Sequence, residues 1–173
     1  MPLHLRQCTS PDVGRLAKIS RKTFIDAFEK DNNPEDFNSY MDVAFSIDTL
    51  SKELQTNDTT FYFVYEDANL VGYFKLNENQ AQTDLKTEEG IELERIYILQ
   101  DFQGRQIGSW MLDEVKKIAS GRQKSFLWLG VWEKNPRAIR FYQNHGFSKF
   151  GTHPYFIGND KQTDWLMRFD LIS

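Results

Sequence analysis

The segment that most restricts how this chain can fold runs from Ile91 to Ala119. Ile91 to Leu99 is rich in β-branched and aromatic residues and predicts a strand. Phe102 to Gly108 contains two glycines and predicts a turn. Beyond it, Ile107, Met111, Leu112, Val115, Ile118 and Ala119 recur at the spacing of one helical stripe. A strand that turns through glycine into a helix presents the first N–H groups of that helix unpaired. They lie at the positive end of the helix dipole and suit an anionic phosphate group. Glycine lets the backbone approach closely, and Arg105 adds a positive charge. Taken alone, such a segment is more often a plain tight turn. Two nucleotide signatures are absent: Gly-x-x-x-x-Gly-Lys-Ser/Thr and Gly-x-Gly-x-x-Gly.

The flanking sequence predicts a mixed α/β chain with a largely antiparallel start and a crossover helix in the middle. Leu3 to Cys8 reads as a strand, and Ser10-Pro11-Asp12 as a helix start with a capping hydroxyl. That helix carries Val13, Leu16, Ala17, Phe24 and Phe28 on one face and is broken at Asn32-Asn33-Pro34. Two shorter helices follow, Pro34 to Phe45 and Ser46 to Gln55. Thr60 to Glu66 and Leu70 to Leu76 predict a hairpin across Asp67-Ala68-Asn69, and Asn77 to Gly90 a long polar loop. Ser125 to Val131 reads as a strand, Asn135-Pro136 to His145 as a helix stopped by Gly146. Phe147 to Gly151, Tyr155 to Gly158 and Trp165 to Asp170 read as short strands.

At 173 residues the chain fits one domain, expected to span 1–173, and is long enough to bury a core. Its net charge of −4 disfavours nucleic acid as the main partner. Cys8 is the one cysteine, so neither an intrachain disulfide nor a cysteine-based zinc site can form. His4, His145 and His153 show no metal-ligand spacing, and no metal is expected. The start of the chain lacks a basic, then apolar, leader, and no stretch is apolar enough to span a membrane. The expectation is a cytoplasmic protein with no membrane partner. A homodimer through an exposed C-terminal strand is compatible with the sequence.

A second block raises the weight of the first. Asn135, Ala138 and Tyr142 fall on one helical stripe, and Gly146-Phe147 closes the segment. Together with Gln103-Gly104-Arg105-Gln106-Ile107-Gly108, this resembles the GNAT superfamily of acetyltransferases. Its phosphate loop reads Gln/Arg-x-x-Gly-x-Gly/Ala, and its second block reads Asn-x-x-Ala-x-x-x-Tyr. Gln106 departs from the pattern, standing where the family has glycine; it serves if its φ is negative, as at a helix start. Most of the chain is also similar to a narrower branch, the PaiA-like spermidine/spermine N-acetyltransferases. The shared segments include Glu92 to Ile98, Leu129 to Glu133 and Gln162-Thr163-Asp164.

The resemblance implies the GNAT fold, a mostly antiparallel twisted sheet of about seven strands flanked by helices. It implies acetyl transfer from acetyl-CoA to an amine, a polyamine in the first instance, by direct attack through a tetrahedral intermediate. Peptide or other small amines remain open as acceptors, and so does a regulatory acetyl-CoA-binding role with little turnover. It places the cofactor on Ile96, Tyr97 and Ile98, on Gln103 to Ser109, and on Asn135, Ala138 and Tyr142. Asn135 also reads as a plain helix cap before Pro136. Tyr142 takes the role of general acid, since a phenol near pKa 10 can protonate a departing thiolate. Glu92 and Glu94 alternate onto one strand face with Ile96 and Ile98 and are the candidate bases. Asp84, Glu88 and Glu89 add acidic charge that would attract a polyamine; a solvated loop is the simpler reading.

Overall fold

A computed structural model describes residues 2–171. Seven strands form one sheet in the order β1-β2-β3-β4-β5-β7-β6. In chain order they are β1 (Leu3–Gln7), β2 (Thr59–Glu66), β3 (Asn69–Glu78), β4 (Gly90–Ile98), β5 (Phe126–Trp132), β6 (Ser148–Ile157) and β7 (Asp160–Asp170). The helices are α1 (Val13–Phe28), α2 (Pro34–Ala44), α3 (Ile47–Gln55), α4 (Ile107–Gly121) and α5 (Pro136–Asn144). All neighbouring strands are antiparallel except β4 and β5. That parallel pair is the one joined by a crossover helix, α4.

The apolar stripes decide which helix covers which face. Met111, Leu112 and Val115 of α4 and Ile139 of α5 pack with Phe74, Leu76, Leu93 and Leu129 on one side. Leu16 and Phe24 of α1, Phe37 and Met41 of α2 and Leu50 of α3 pack with Phe61, Phe63 and Tyr73 on the other. A smaller group, Phe126, Trp128 and Leu166, lies under Leu85 of the loop before β4. Each fully buried Phe or Leu contributes about 1.5–3 kcal/mol to folding, so the two large clusters hold the sheet between its helix layers.

Several local expectations need correction. The first helix is capped by Thr9 rather than Ser10: the Thr9 N–H donates to Asp12 Oδ2 at 2.8 Å, and a 3₁₀ turn over Ser10–Asp12 leads into α1. The two short strands predicted around Pro154 are one ten-residue strand, β6. Pro154 is tolerated because β6 is the sheet edge and its missing N–H breaks no second ladder. The C-terminal strand β7 is not an exposed edge, since it lies between β5 and β6.

The strand β4 departs from simple alternation. Lys75 pairs with Arg95 and the next residue, Leu76, pairs with Leu93, so Glu94 is an extra, bulged residue. Leu93, Ile96 and Ile98 therefore face α4. Glu92 and Glu94 do share a face, bridged by Asn77. That face is the opposite one from Ile96 and Ile98, which corrects the alternation drawn from sequence.

Candidate active site

Only three residue pairs join β4 to β5, from Gly90↔Phe126 to Glu92↔Trp128. Beyond them the two strands diverge, and a cavity of about 740 Å³ opens between Leu93–Ile98 on one side and Leu129–Trp132 on the other. It is lined in two parts. The first consists of Gln103, Gly104, Gln106, Ile107, Gly108 and Ser109 with Asn135, Ala138, Phe141 and Tyr142. The second takes residues from α1, β4, β5, β6 and β7 and includes Asp26, Glu94 and Asp164.

In the first part, α4 opens on the cavity without a side-chain cap and without an acid in its first turn. Its first N–H groups are thus free to receive an anion. Gly104 sits at φ +80° with open space where a Cβ would be. Gly108 is tighter: a Cβ there would lie 3.3 Å from Ile98 Cδ1 and 3.4 Å from Phe141 Cζ. Gln103 Nε2 donates to the Ile98 carbonyl at 3.2 Å and ties the loop to the end of β4. Gln106 is the residue that departs from expectation. Its φ is +64°, left-handed rather than helical, because the turn needs a reversed backbone immediately before α4. A non-glycine residue there costs about 1–2 kcal/mol. The Arg105 side chain does not line the cavity; it turns back over the Phe102 ring and reaches Glu66 at 3.5 Å.

Asn135 caps α5, its Oδ1 accepting from the Ala138 N–H at 3.2 Å, while the residue also lines the cavity. Tyr142 stands beside Phe141 and Phe147, and its hydroxyl has no hydrogen-bond partner among the described residues. Burial pushes the phenol well above its ordinary pKa and keeps it protonated.

The two strand glutamates separate. Glu94 lines the cavity; Glu92 does not. Glu92 is buried, accepting from the Thr83 N–H at 2.8 Å, from Thr83 Oγ1 at 2.5 Å and from Asn77 Nδ2 at 3.0 Å. Burial raises its pKa, and the charge of Glu94 raises it further. Burial would raise Glu94 as well, but Arg95 and Lys75 more than offset this and hold it at about 2. Lys75 Nζ lies 2.8 Å from Glu94 and 2.7 Å from Glu53 of α3. None of Asp84, Glu88 and Glu89 reaches the cavity, and Asp84 pairs with His153 at 3.1 Å. Two lining residues, Trp132 and Asp164, carried no role in the sequence reading. Their signal was present in the apolar and acidic letters of β5 and β7, but only the pairing Trp132↔Asp164 brings them together.

A sheet parted between two parallel strands, with an uncapped helix N-terminus at one mouth and an amphiphilic chamber behind, fits a long acyl donor ending in phosphates. Fold and site define an acyl-CoA-dependent transferase. Residues 21–147 match the acetyltransferase (GNAT) family. A Lactobacillus delbrueckii protein described as an uncharacterised N-acetyltransferase is 37% identical over 96% of this chain and 96% of its own length. The spermidine N(1)-acetyltransferase of Thermoplasma acidophilum is 24% identical over 85% of this chain and 89% of its own. Among solved structures, the PaiA N-acetyltransferase of Thermoplasma acidophilum in complex with coenzyme A superposes with a TM-score of 0.78. It is 21% identical and covers 98% of this chain and 99% of that one. The chain belongs to the GNAT acetyltransferase family and is an acetyl-CoA-dependent N-acetyltransferase. No helix among the described residues is long and apolar enough to cross a membrane.

Proposed function

We propose that this enzyme acetylates an aliphatic polyamine of the spermidine or spermine type. The observation that carries the reading is the second part of the cavity, where the acids Asp26, Glu94 and Asp164 stand among the rings of Phe28, Tyr97, Trp132 and Tyr155. Carboxylates attract an alkylammonium, and aromatic faces attract cations. The Thermoplasma relative named for spermidine supports the same acceptor.

In this reading the N–H groups of Ile107, Gly108 and Ser109, with the backbone of Gln103 to Gln106, hold the donor's pyrophosphate. The gap-facing backbone of Ile96, Tyr97 and Ile98 aligns the pantetheine arm as an added strand and supplies an N–H to the carbonyl oxygen. Asn135 and Ala138 flank the arm. Glu94 adds negative potential on the acceptor side, and Glu92 stands behind it through Asn77. An alkylammonium near pKa 10.4 must shed a proton, which solvent takes up, before it can attack. The freed nitrogen then bonds to the acetyl carbon to give a tetrahedral intermediate, whose collapse breaks the carbon–sulfur bond. Tyr142 gives its proton to the sulfur, and the second proton on the nitrogen restores the phenol.

The test is steady-state release of CoA with acetyl-CoA and either spermidine, spermine or a lysine-containing peptide. The polyamines are expected to give the highest kcat/KM. A higher value for the peptide, or no turnover with any amine, overturns the reading.

A further inference from the structure

Three carboxylates line the cavity, and they are not equivalent. Asp26 is bound by Lys22 of its own helix at 3.0 Å. Glu94 is neutralised from behind by Lys75 at 2.8 Å and Arg95 at 3.4 Å. Asp164 has neither an ion-pair partner nor a hydrogen-bond donor among the described residues, though it is partly buried. It also has room made for it. Gly130 stands on the neighbouring strand, and a Cβ there would lie 3.2 Å from Asp164 Oδ2. Glycine is otherwise a poor residue in mid-strand, with no side chain to pack. Trp132, paired with Asp164 across β5 and β7, and Tyr155 of β6 line the same chamber. Phe28 and Tyr97 close the opposite wall, Phe28 lying 6.3 Å from both Tyr97 and Trp132 between ring centroids.

A single uncompensated carboxylate among aromatic faces is the receptor expected for an ammonium group. It supplies one charge-assisted hydrogen bond with cation–π surroundings and no ion-paired cation of its own to displace. We propose that Asp164 is the residue that binds and orients the ammonium group of the acceptor, and that Gly130 keeps its carboxylate free to do so. This rests on the amine-acceptor reading above and assigns that site's anchoring charge to β7 rather than to β4. Burial raises the Asp164 pKa to about 6; His153 on β6 opposes the shift and Glu133 after β5 adds to it. The other charges on the cavity wall are Asp26, Lys30, Glu94 and Arg137. Asp164 is therefore ionised at neutral pH and titrates just below it.

The variant is Asp164→Asn, which keeps shape and removes charge. KM for spermidine is expected to rise about tenfold or more, with KM for acetyl-CoA unchanged. In the wild type, kcat/KM for spermidine should fall below about pH 6; the variant should lack that acid limb. Thermal melting checks that the variant is folded. Spermidine binding to the CoA-loaded protein is read by calorimetry and should be lost with the charge. If the wild type acetylates spermidine and the variant matches it in KM and in pH profile, this inference falls and the acceptor reading stands. If the wild type neither acetylates any amine nor binds spermidine, both fall.

Discussion

The two ends of the cavity are built in opposite ways. The donor end is local in sequence and made mostly of backbone: the turn from Gln103 to Ser109 and one helical stripe, Asn135 to Tyr142. The acceptor end is assembled from side chains on α1, β4, β5, β6 and β7, from Thr23 to Asp164. A donor common to many enzymes is met by conformation, which any sequence with the right turn can supply. An acceptor is met by chemistry, which depends on individual residues that only the folded sheet brings together. The same contrast separates what was legible from what was not. The 3.6-residue stripe of α4 and the strand β4 are written in periodicity, and so the donor end could be placed. Asp164 reads only as part of a segment shared with the PaiA-like branch, just before the strand predicted from Trp165, because nothing in β7 alone reveals Gly130 and Trp132 beside it. The bulge at Glu94 is also silent in sequence: Glu92, Glu94, Ile96 and Ile98 alternate perfectly on paper. Gln106 was legible as a departure, but its left-handed backbone was not, since helix starts are normally right-handed.

Four substitutions probe this contrast, in falling order of effect. Tyr142→Phe removes the half-buried, unpartnered phenol of the donor end. It should lower kcat about a hundredfold with acetyl-CoA KM within about twofold of wild type, read by steady-state kinetics; unchanged turnover would remove Tyr142 from the acid's role. Gly108→Val tests the donor end alone. Its Cβ would already crowd Ile98 and Phe141, so acetyl-CoA KM should rise about tenfold while spermidine KM stays put. A parallel rise in both would show that the ends are not separable.

Asp164→Asn tests the acceptor end through stability. The folded-state pKa, about 6, lies above the ordinary 3.8. The folded protein thus binds more protons between about pH 4 and 6, and stability falls as pH rises through that window. The neutral variant escapes this loss. Its melting temperature should exceed that of the wild type at pH 7 and converge with it near pH 4; a lower melting temperature at pH 7 would mean that Asp164 serves the fold instead. Gln106→Gly should be the mildest. Relief of the left-handed strain, about 1–2 kcal/mol, is partly offset by the greater freedom of glycine in the unfolded chain. Chemical denaturation should show a gain of no more than about 1 kcal/mol, with acetyl-CoA KM unchanged; a clear loss would mean that the Gln106 side chain has a contact of its own.

The opening of the sheet has a simple arithmetic. Without Glu94, the sequence Leu93-Arg95-Ile96-Tyr97-Ile98 would alternate without a break, each residue keeping the side it has now. The bulge lies just past Glu92, the last β4 residue paired with β5, at the point where β4 turns away. One surplus residue thus does the work of an interrupted sheet: it bends a strand out of the ladder while leaving the strand continuous. Variation in length is therefore absorbed unequally along this chain. The loop before β4 is tied down at Thr83 and Leu85 and can vary in length only outside those contacts, whereas within β4 deletion of the one bulged residue is expected to restore an unbroken ladder with β3 and erase the bend that opens the gap.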